Sequence, residues 1–247
     1  MNHDSHAGAK RQDHPSPELP VFDKVFARQF LAAWPRAEGT DEIDRIAKSP
    51  TSIWAVVPRY GRFLFTLVMM FKPRRILEVG MANGVSCAYI AKAQLSYLQQ
   101  DGAHVIIDPF QSTQWHNAGR AMLERLGLDR NIEVIEDCSI HAIPNLEKQG
   151  QRFDLAFIDG NHCLDYTLAD VLASDRVLCI GGLIVLDDSR AFGVRMAVPY
   201  LDRYRVNLTR IRFDNWLVHW WREHISGRRR MTVYQKNSED VRGAPGT

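Results

Sequence analysis

The sequence predicts an α/β fold: a mostly parallel sheet covered by helices on both faces, an antiparallel hairpin at one edge, and an N-terminal helical cap. Three observations lead there. From about residue 74, short apolar runs alternate with longer amphipathic ones. The apolar runs are nearly continuous, as in strands buried on both faces. After residue 187 the alternation stops, and two β-type runs follow without the full helical crossover that parallel neighbours require.

The parallel strands are read at 74–79 (RRILEV), 104–108 (HVIID), 132–136 (IEVIE), 153–159 (FDLAFID) and 182–187 (GLIVLD). Between them SCAYIAKAQLSYL, WHNAGRAMLERLGL, a stretch around IPNLEKQG, and LDYTLADVLASDRVL have the three-to-four spacing of helices. Right-handed crossovers connect them, in the proposed order 3-2-1-4-5. A helix near 191–204 precedes LTRIRF and MTVYQK, which bring the sheet to seven strands. Residues 22–34, 41–48 and 52–71 read as the cap helices, with Pro58 and Gly61 interrupting the last. Residues 1–20 are polar, carry three prolines, and read as a flexible tail. Residues 21–247 then form one domain, with 21–71 as cap and 214–230 as an insertion.

Bulk composition excludes several classes. Among 247 residues the net charge is +2, so no global field demands a nucleic acid partner. Cys87, Cys138, Cys163 and Cys179 form no C-x-x-C pair, which argues against a zinc site or disulfide framework. That usage suits a reducing, cytoplasmic compartment. The longest apolar run, FLFTLVMMF, is too short for a bilayer span. The first residues hold no apolar signal core.

The chemistry concentrates at strand ends. The first strand ends in Glu78 and enters Gly80, Met81, Ala82, Asn83, Gly84, Val85 and Ser86. Glycines permit a tight turn and close ligand approach, and the following helix start offers N–H groups to an anion. Ala82 replaces the second glycine of the dinucleotide fingerprint, so this is not that motif. The second strand ends at Asp108, beside the loop, where a carboxylate can accept both hydroxyls of a ribose. Its plainer reading is a helix cap. The fourth strand ends at Asp159 and the fifth at Asp187 and Asp188. Neighbouring strands lie about 5 Å apart, and three carboxylates so close repel unless a cation or proton sits between them. Oxygen-only ligands suit Mg²⁺. The plainer readings are an acid serving a cofactor crevice at Asp159 and a helix cap at Asp187–Asp188.

E-x-G-x-x-x-G followed by an acid ending the next strand resembles the class I S-adenosylmethionine (SAM)-dependent methyltransferases, a Rossmann-like fold. VVPRYGRFLFTLVMMFKPRRILEVGMANGVS is similar in register to the caffeoyl-CoA and catechol O-methyltransferases. The likeness extends to macrolide sugar O-methyltransferases and the related cephalosporin hydroxylase group, over roughly residues 52–190. By that resemblance Glu78, Gly80 and Gly84 shape the cofactor loop, with Met81, Asn83 and Pro109 in the same cofactor set. Ser86 would hold the methionine carboxylate. Asp137, Cys138 and Ser139 stand where the family contacts adenine, although the family's commoner Gly-x-Ala is absent. Asp159, Asp187 and Asp188 match the family's metal ligands, and the D-x-x-H spacing matches a general base at His162. Asp165, Tyr166 and Asp170 read as surface or packing groups.

The resemblance implies a Mg²⁺-dependent O-methyltransferase acting on a small hydroxylated molecule, either a sugar or an aromatic diol. Two other readings stand beside it: an RNA methyltransferase, and a non-catalytic or hydroxylase-like repurposed member. DNWLVHWWREHISGRRR (214–230) puts Trp216 and Trp220 on one helical face, as a lid, a homodimer surface or core packing. Arg228–Arg230 reads as a solvated turn, and no RNA-binding motif accompanies it.

Overall fold

The computed structural model describes residues 19–50, 52, 54–98, 102–211 and 231–240. The segment 214–230 and nearly all of the tail lie outside the described residues. The cap consists of α1 (Lys24–Ala33), a 3₁₀ turn (Trp34–Arg36), α2 (Asp41–Ala47) and α3 (Pro58–Phe71). The sheet domain follows as β1 (Arg75–Val79), α4 (Val85–Leu95), β2 (Ala103–Ile107), α5 (Ala118–Arg125), β3 (Ile132–Ile135), α6 (Ser139–Lys148), β4 (Phe153–Ile158), α7 (Leu164–Val177), β5 (Leu178–Leu186), α8 (Phe192–Tyr204), β6 (Leu208–Ile211) and β7 (Thr232–Lys236).

The observed strand order is β3-β2-β1-β4-β5-β7-β6. The first five strands are parallel; β7 is antiparallel to both β5 and β6. Side chains alternate between the faces with period two. Ile76, Ile106, Leu155, Phe157, Leu183 and Val233 join the core beneath α1–α5. Leu77, Val105, Ala156, Ile158, Ile184 and Tyr234 join the core beneath α6–α8.

Two elements differ from expectation. Pro58 starts α3 instead of interrupting it: at a helix's first turn proline loses no hydrogen bond and its φ is already helical. Gly61 lies inside α3 because the Tyr89 ring packs on it, and a Cβ there would fall 2.0 Å from a ring carbon. The Tyr89 hydroxyl donates to Asp44, and Arg62 Nε donates to the same carboxylate at 2.9 Å. This buried group ties α2, α3 and α4 together. The fifth strand begins earlier than expected, at Leu178, through a bulge. Phe153 pairs with Leu178 but Leu155 pairs with Leu183, and Gly181 takes up the turn at φ +85°.

Register sets the site. Val79 pairs with both Ile107 and Ile158, and Ile158 with Leu186. The next residues are Gly80, Asp108, Asp159 and Asp187. Their amides extend the ladders: Gly80 to Ile107, Asp108 to Ile135, Asp159 to Val79, Asp187 to Ile158, at 2.8–3.1 Å. Four separate chain segments thus end level at the carboxyl edge of the sheet.

Candidate active site

The glycine loop is built by close approach. Gly80 has φ +92°, and a Cβ there would lie 2.1 Å from the Asp159 carbonyl oxygen. Gly84, at φ +77°, touches the Gly119 backbone in the same way. Ala82 is left-handed at φ +46° without being glycine. Asp108 holds that strained residue. Its Oδ2 accepts from the amides of Met81 (3.0 Å) and Ala82 (2.9 Å) and from Gln111 Nε2 (3.1 Å); its Oδ1 accepts from the Phe110 amide (2.8 Å). Asp108 is therefore first a brace of the loop and of the turn after β2. Oδ1 thus holds one donor against three on Oδ2. Leaving a buried donor without its acceptor costs about 1–3 kcal/mol. Asp108→Ala should lower the melting temperature as well as weaken S-adenosylhomocysteine (SAH) binding, measured by thermal unfolding and calorimetry. An unchanged melting temperature would rule out the brace.

Glu78 is fully buried beneath the loop. Its carboxylate accepts from Ser86 Oγ at 2.6 Å and meets His104 Nε2 at 2.7 Å, with His104 equally buried. The Ser86 hydroxyl proton is thus directed at Glu78, and what Ser86 offers an anion is its place in the first turn of α4. His104 and Gln111 were missed by sequence reasoning. His104 sits inside an apolar strand with no motif around it.

A cavity of about 280 Å³ opens against this loop. Gly80, Met81, Asn83 and Ser86 form one wall; Asp159, Gly160 and His162 form the next; Trp54, Ala55 and Val56 from the cap and Gln114 and Trp115 from the turn after β2 close the rest. Asp108, Pro109, Asp137, Cys138, Ser139, Asp187 and Asp188 are not among its lining residues. Trp54 and Trp115 carried no sequence signal. Trp54 is 71% exposed, with a left-handed backbone at φ +66°.

Asp159, His162 and Asp188 do come together. His162 Nε2 lies 3.2 Å from Asp159 Oδ1, and its Nδ1 lies 3.8 Å from Asp188 Oδ2. The hydrogen bond to Asp159 raises the His162 pKa above its ordinary value; burial opposes this, and the charges of Asp159, Asp188 and Asp187 reinforce it. The turn 159–163 is fixed from several sides. The Asn161 side chain accepts from the Cys163 amide at 3.0 Å, and Gly193 in the first turn of α8 packs directly on the His162 carbonyl. Asp187 is buried, and Asp188 adopts φ +46°.

The donor chemistry at this edge fits a hard divalent cation: three carboxylates on two adjacent strand ends. Among the described residues, no three His, Cys, Asp or Glu side chains are already converged for a metal. The His162 ring stands between Asp159 and Asp188, 3.2 Å and 3.8 Å from a carboxylate oxygen of each. Asp165 and Tyr166 are exposed, as expected, whereas Asp170 is buried. No described helix is long and apolar enough to cross a membrane.

Residues 77–189 match the family model of a methyltransferase domain. A catechol O-methyltransferase of Mycobacterium tuberculosis is 28% identical over 158 residues, 64% of each chain. A caffeoyl-CoA O-methyltransferase of Stellaria longipes is 24% identical over 173 residues, 68% of each. The match spans only 54% of an Arabidopsis thaliana protein of caffeoyl-CoA O-methyltransferase type. An O-methyltransferase from Bacillus cereus, solved with SAH, superposes with a TM-score of 0.62 at 18% identity, over 87% of this chain and 99% of that one. The Streptomyces achromogenes O-methyltransferase TomG, solved with SAM, gives 0.56 at 22% identity, over 87% and 96%. Strand order and glycine loop give the chain the fold of these solved methyltransferases, and the match to a methyltransferase domain covers residues 77–189, less than half of the 247 residues. The two sequence relatives named above are O-methyltransferases of the catechol and caffeoyl-CoA type.

Proposed function

We propose that the protein transfers a methyl group from SAM to a hydroxyl oxygen of a small molecule, in a Mg²⁺-dependent reaction. One observation carries the reading: a single cavity joins the glycine loop to Asp159 and His162. A cofactor whose methionine end lies on that loop then points its sulfonium toward the carboxylate and imidazole. The first turn of α4 favours the methionine carboxylate, and Asp108 keeps the loop open for it. Asp137, Cys138 and Ser139, at the start of α6, would meet the adenine.

An acceptor hydroxyl is a weak nucleophile until its proton leaves. In this reading His162 takes it. With Nε2–H donating to Asp159, 3.2 Å away, the ring would be oriented and its imidazolium stabilised, and Nδ1, 3.8 Å from Asp188, would be the nitrogen that takes the acceptor proton. When bound, Mg²⁺ would be held by Asp159, Asp187 and Asp188 and would act as a Lewis acid on the acceptor oxygen. The remaining contribution is alignment of oxygen, methyl and sulfur in line.

The cavity walls bear on the acceptor. Trp54, Ala55, Val56, Met81 and Val85 offer apolar surface opposite the polar pair. A sugar with hydroxyls on every edge would leave several unsatisfied there, at a cost of roughly 1–3 kcal/mol each. A flat aromatic diol presents its hydroxyl edge to His162 and its ring face to Trp54. We therefore favour the aromatic diol over the sugar. The four cysteines are free, in keeping with a cytoplasmic setting.

The test is calorimetric titration with SAH, first in EDTA and then with Mg²⁺, followed by activity screening on aromatic diols and sugars. SAH binding at micromolar level and a separate Mg²⁺ heat are expected. If SAH fails to bind in either condition, the glycine loop is only a turn and the reading falls.

A further inference from the structure

Asp170 is a carboxylate for which the mechanism above has no use. It lies on α7 and is 2% exposed. Its Oδ1 accepts a hydrogen bond from Ser139 Oγ, at the start of α6. Its Oδ2 reaches the other way: a Cβ added to Gly160 would lie 3.2 Å from it and 3.2 Å from Val79 Cγ1. Gly160 is thus wedged between Asp170 and β1, and it lines the cavity immediately after Asp159. Burial pushes the Asp170 carboxyl up to about 6, and the Ser139 hydroxyl draws it back.

The position matters because of strand order. β3 and β4 are separated by β2 and β1, so no ladder joins their ends. The loop leaving β3 and the turn leaving β4 must be related through the layer of α6 and α7. One buried side chain stands against both segments: its Oδ1 is hydrogen-bonded to Ser139, and its Oδ2 occupies the space a side chain at Gly160 would need.

We propose that Asp170 is a positioning residue, which holds the loop between β3 and α6 in register with the turn carrying Asp159 and His162. The inference rests on the methyltransferase reading, in which the first of these segments meets the adenine. Adenine contact at Ser139 is then transmitted to the height and orientation of the His162 ring. Asp170 acts through Ser139 and Gly160 and does not itself touch the reacting atoms.

The test uses the full chain and adenosine, which fills the adenine and ribose positions but lacks the methionine end. The readout is the NMR signal of the His162 ring, assigned by its loss in His162→Ala. Saturating adenosine should shift that signal in the wild type and in Asp170→Asn, which keeps an acceptor for Ser139. The shift should be lost in Asp170→Ala while adenosine still binds by calorimetry. A purely structural role would lower the melting temperature of Asp170→Ala but leave the His162 shift intact, and that result would overturn the proposal. Should Asp170→Ala not fold, Ser139→Ala cuts the same bridge and must also lose the shift. Wild type that binds adenosine without any movement of His162 also overturns the inference and leaves the parent reading standing. Wild type that binds neither adenosine nor SAH removes both.

Discussion

Replacing His162 by Ala should reduce methyl transfer by on the order of 10²–10⁴-fold, the usual contribution of a positioned general base, and leave SAH affinity unchanged. The two effects separate because of where the ring sits. The glycine loop, proposed to carry the methionine end of the cofactor, is braced by Asp108 through the Met81 and Ala82 amides and not by His162. The imidazole itself is about one-third exposed, so its removal opens no core cavity. The measurement is turnover on the best diol from the screen, paired with SAH calorimetry on the same sample. Full activity in the variant would eliminate His162 as the base. A parallel loss of SAH binding would assign it to the cofactor instead.

The second large effect is expected at a residue with no functional group. Gly193→Ala should lower activity by about 10²-fold, the scale of a misplacement near 1 Å, with SAH binding retained. A Cβ at Gly193 would lie 2.3 Å from the His162 carbonyl oxygen, 2.4 Å from the Leu164 amide nitrogen and 2.6 Å from the Cys163 carbonyl carbon. All three are backbone atoms and cannot swing aside as a side chain would. Either the start of α8 or the turn 162–164 must move, and that turn carries the proposed base. Overpacking of this kind costs about 1–3 kcal/mol, so a lower melting temperature should accompany the loss. Gly127→Ala is the control for backbone strain without steric contact: its φ is +63°, which Gly193 does not share, and nothing lies within 4 Å of the added Cβ. Equal activity in Gly193→Ala and wild type would show that the turn tolerates the shift.

Much of this architecture is legible in the sequence because its signals are local. Continuous apolar runs placed β1 to β4 within a residue or two, and the run after Gly182 located the end of β5. Acids at the ends of those runs fell at one edge because parallel register puts them there. The meeting of Asp159 with His162 follows from three residues of spacing at the start of a turn. What could not be read depends on contacts between distant segments. Asp108 looks in sequence like a group offered to a ligand, yet four donors from two loops already use it. Ser86 looks like an anion ligand, but its hydroxyl is turned onto Glu78. Gly160 and Gly193 stand in no motif, and their necessity shows only when Asp170 and the His162 carbonyl are beside them. Trp54 is an isolated tryptophan until the cap is folded over the cavity.

The order β5-β7-β6 bears on synthesis by the ribosome. Among the described residues β6 joins the sheet through β7 alone, and β7 is translated after the whole stretch that follows Ile211. While that stretch is being made, β5 stands as an unpaired border of the nascent sheet and β6 has nowhere to dock. Such borders template pairing with other chains. The emerging polypeptide therefore has a window of vulnerability that closes when Thr232–Lys236 slides between its two neighbours. The buried Lys236 ammonium then latches the strand onto the carbonyls of Asp175 and Leu178, at 2.8 and 3.0 Å.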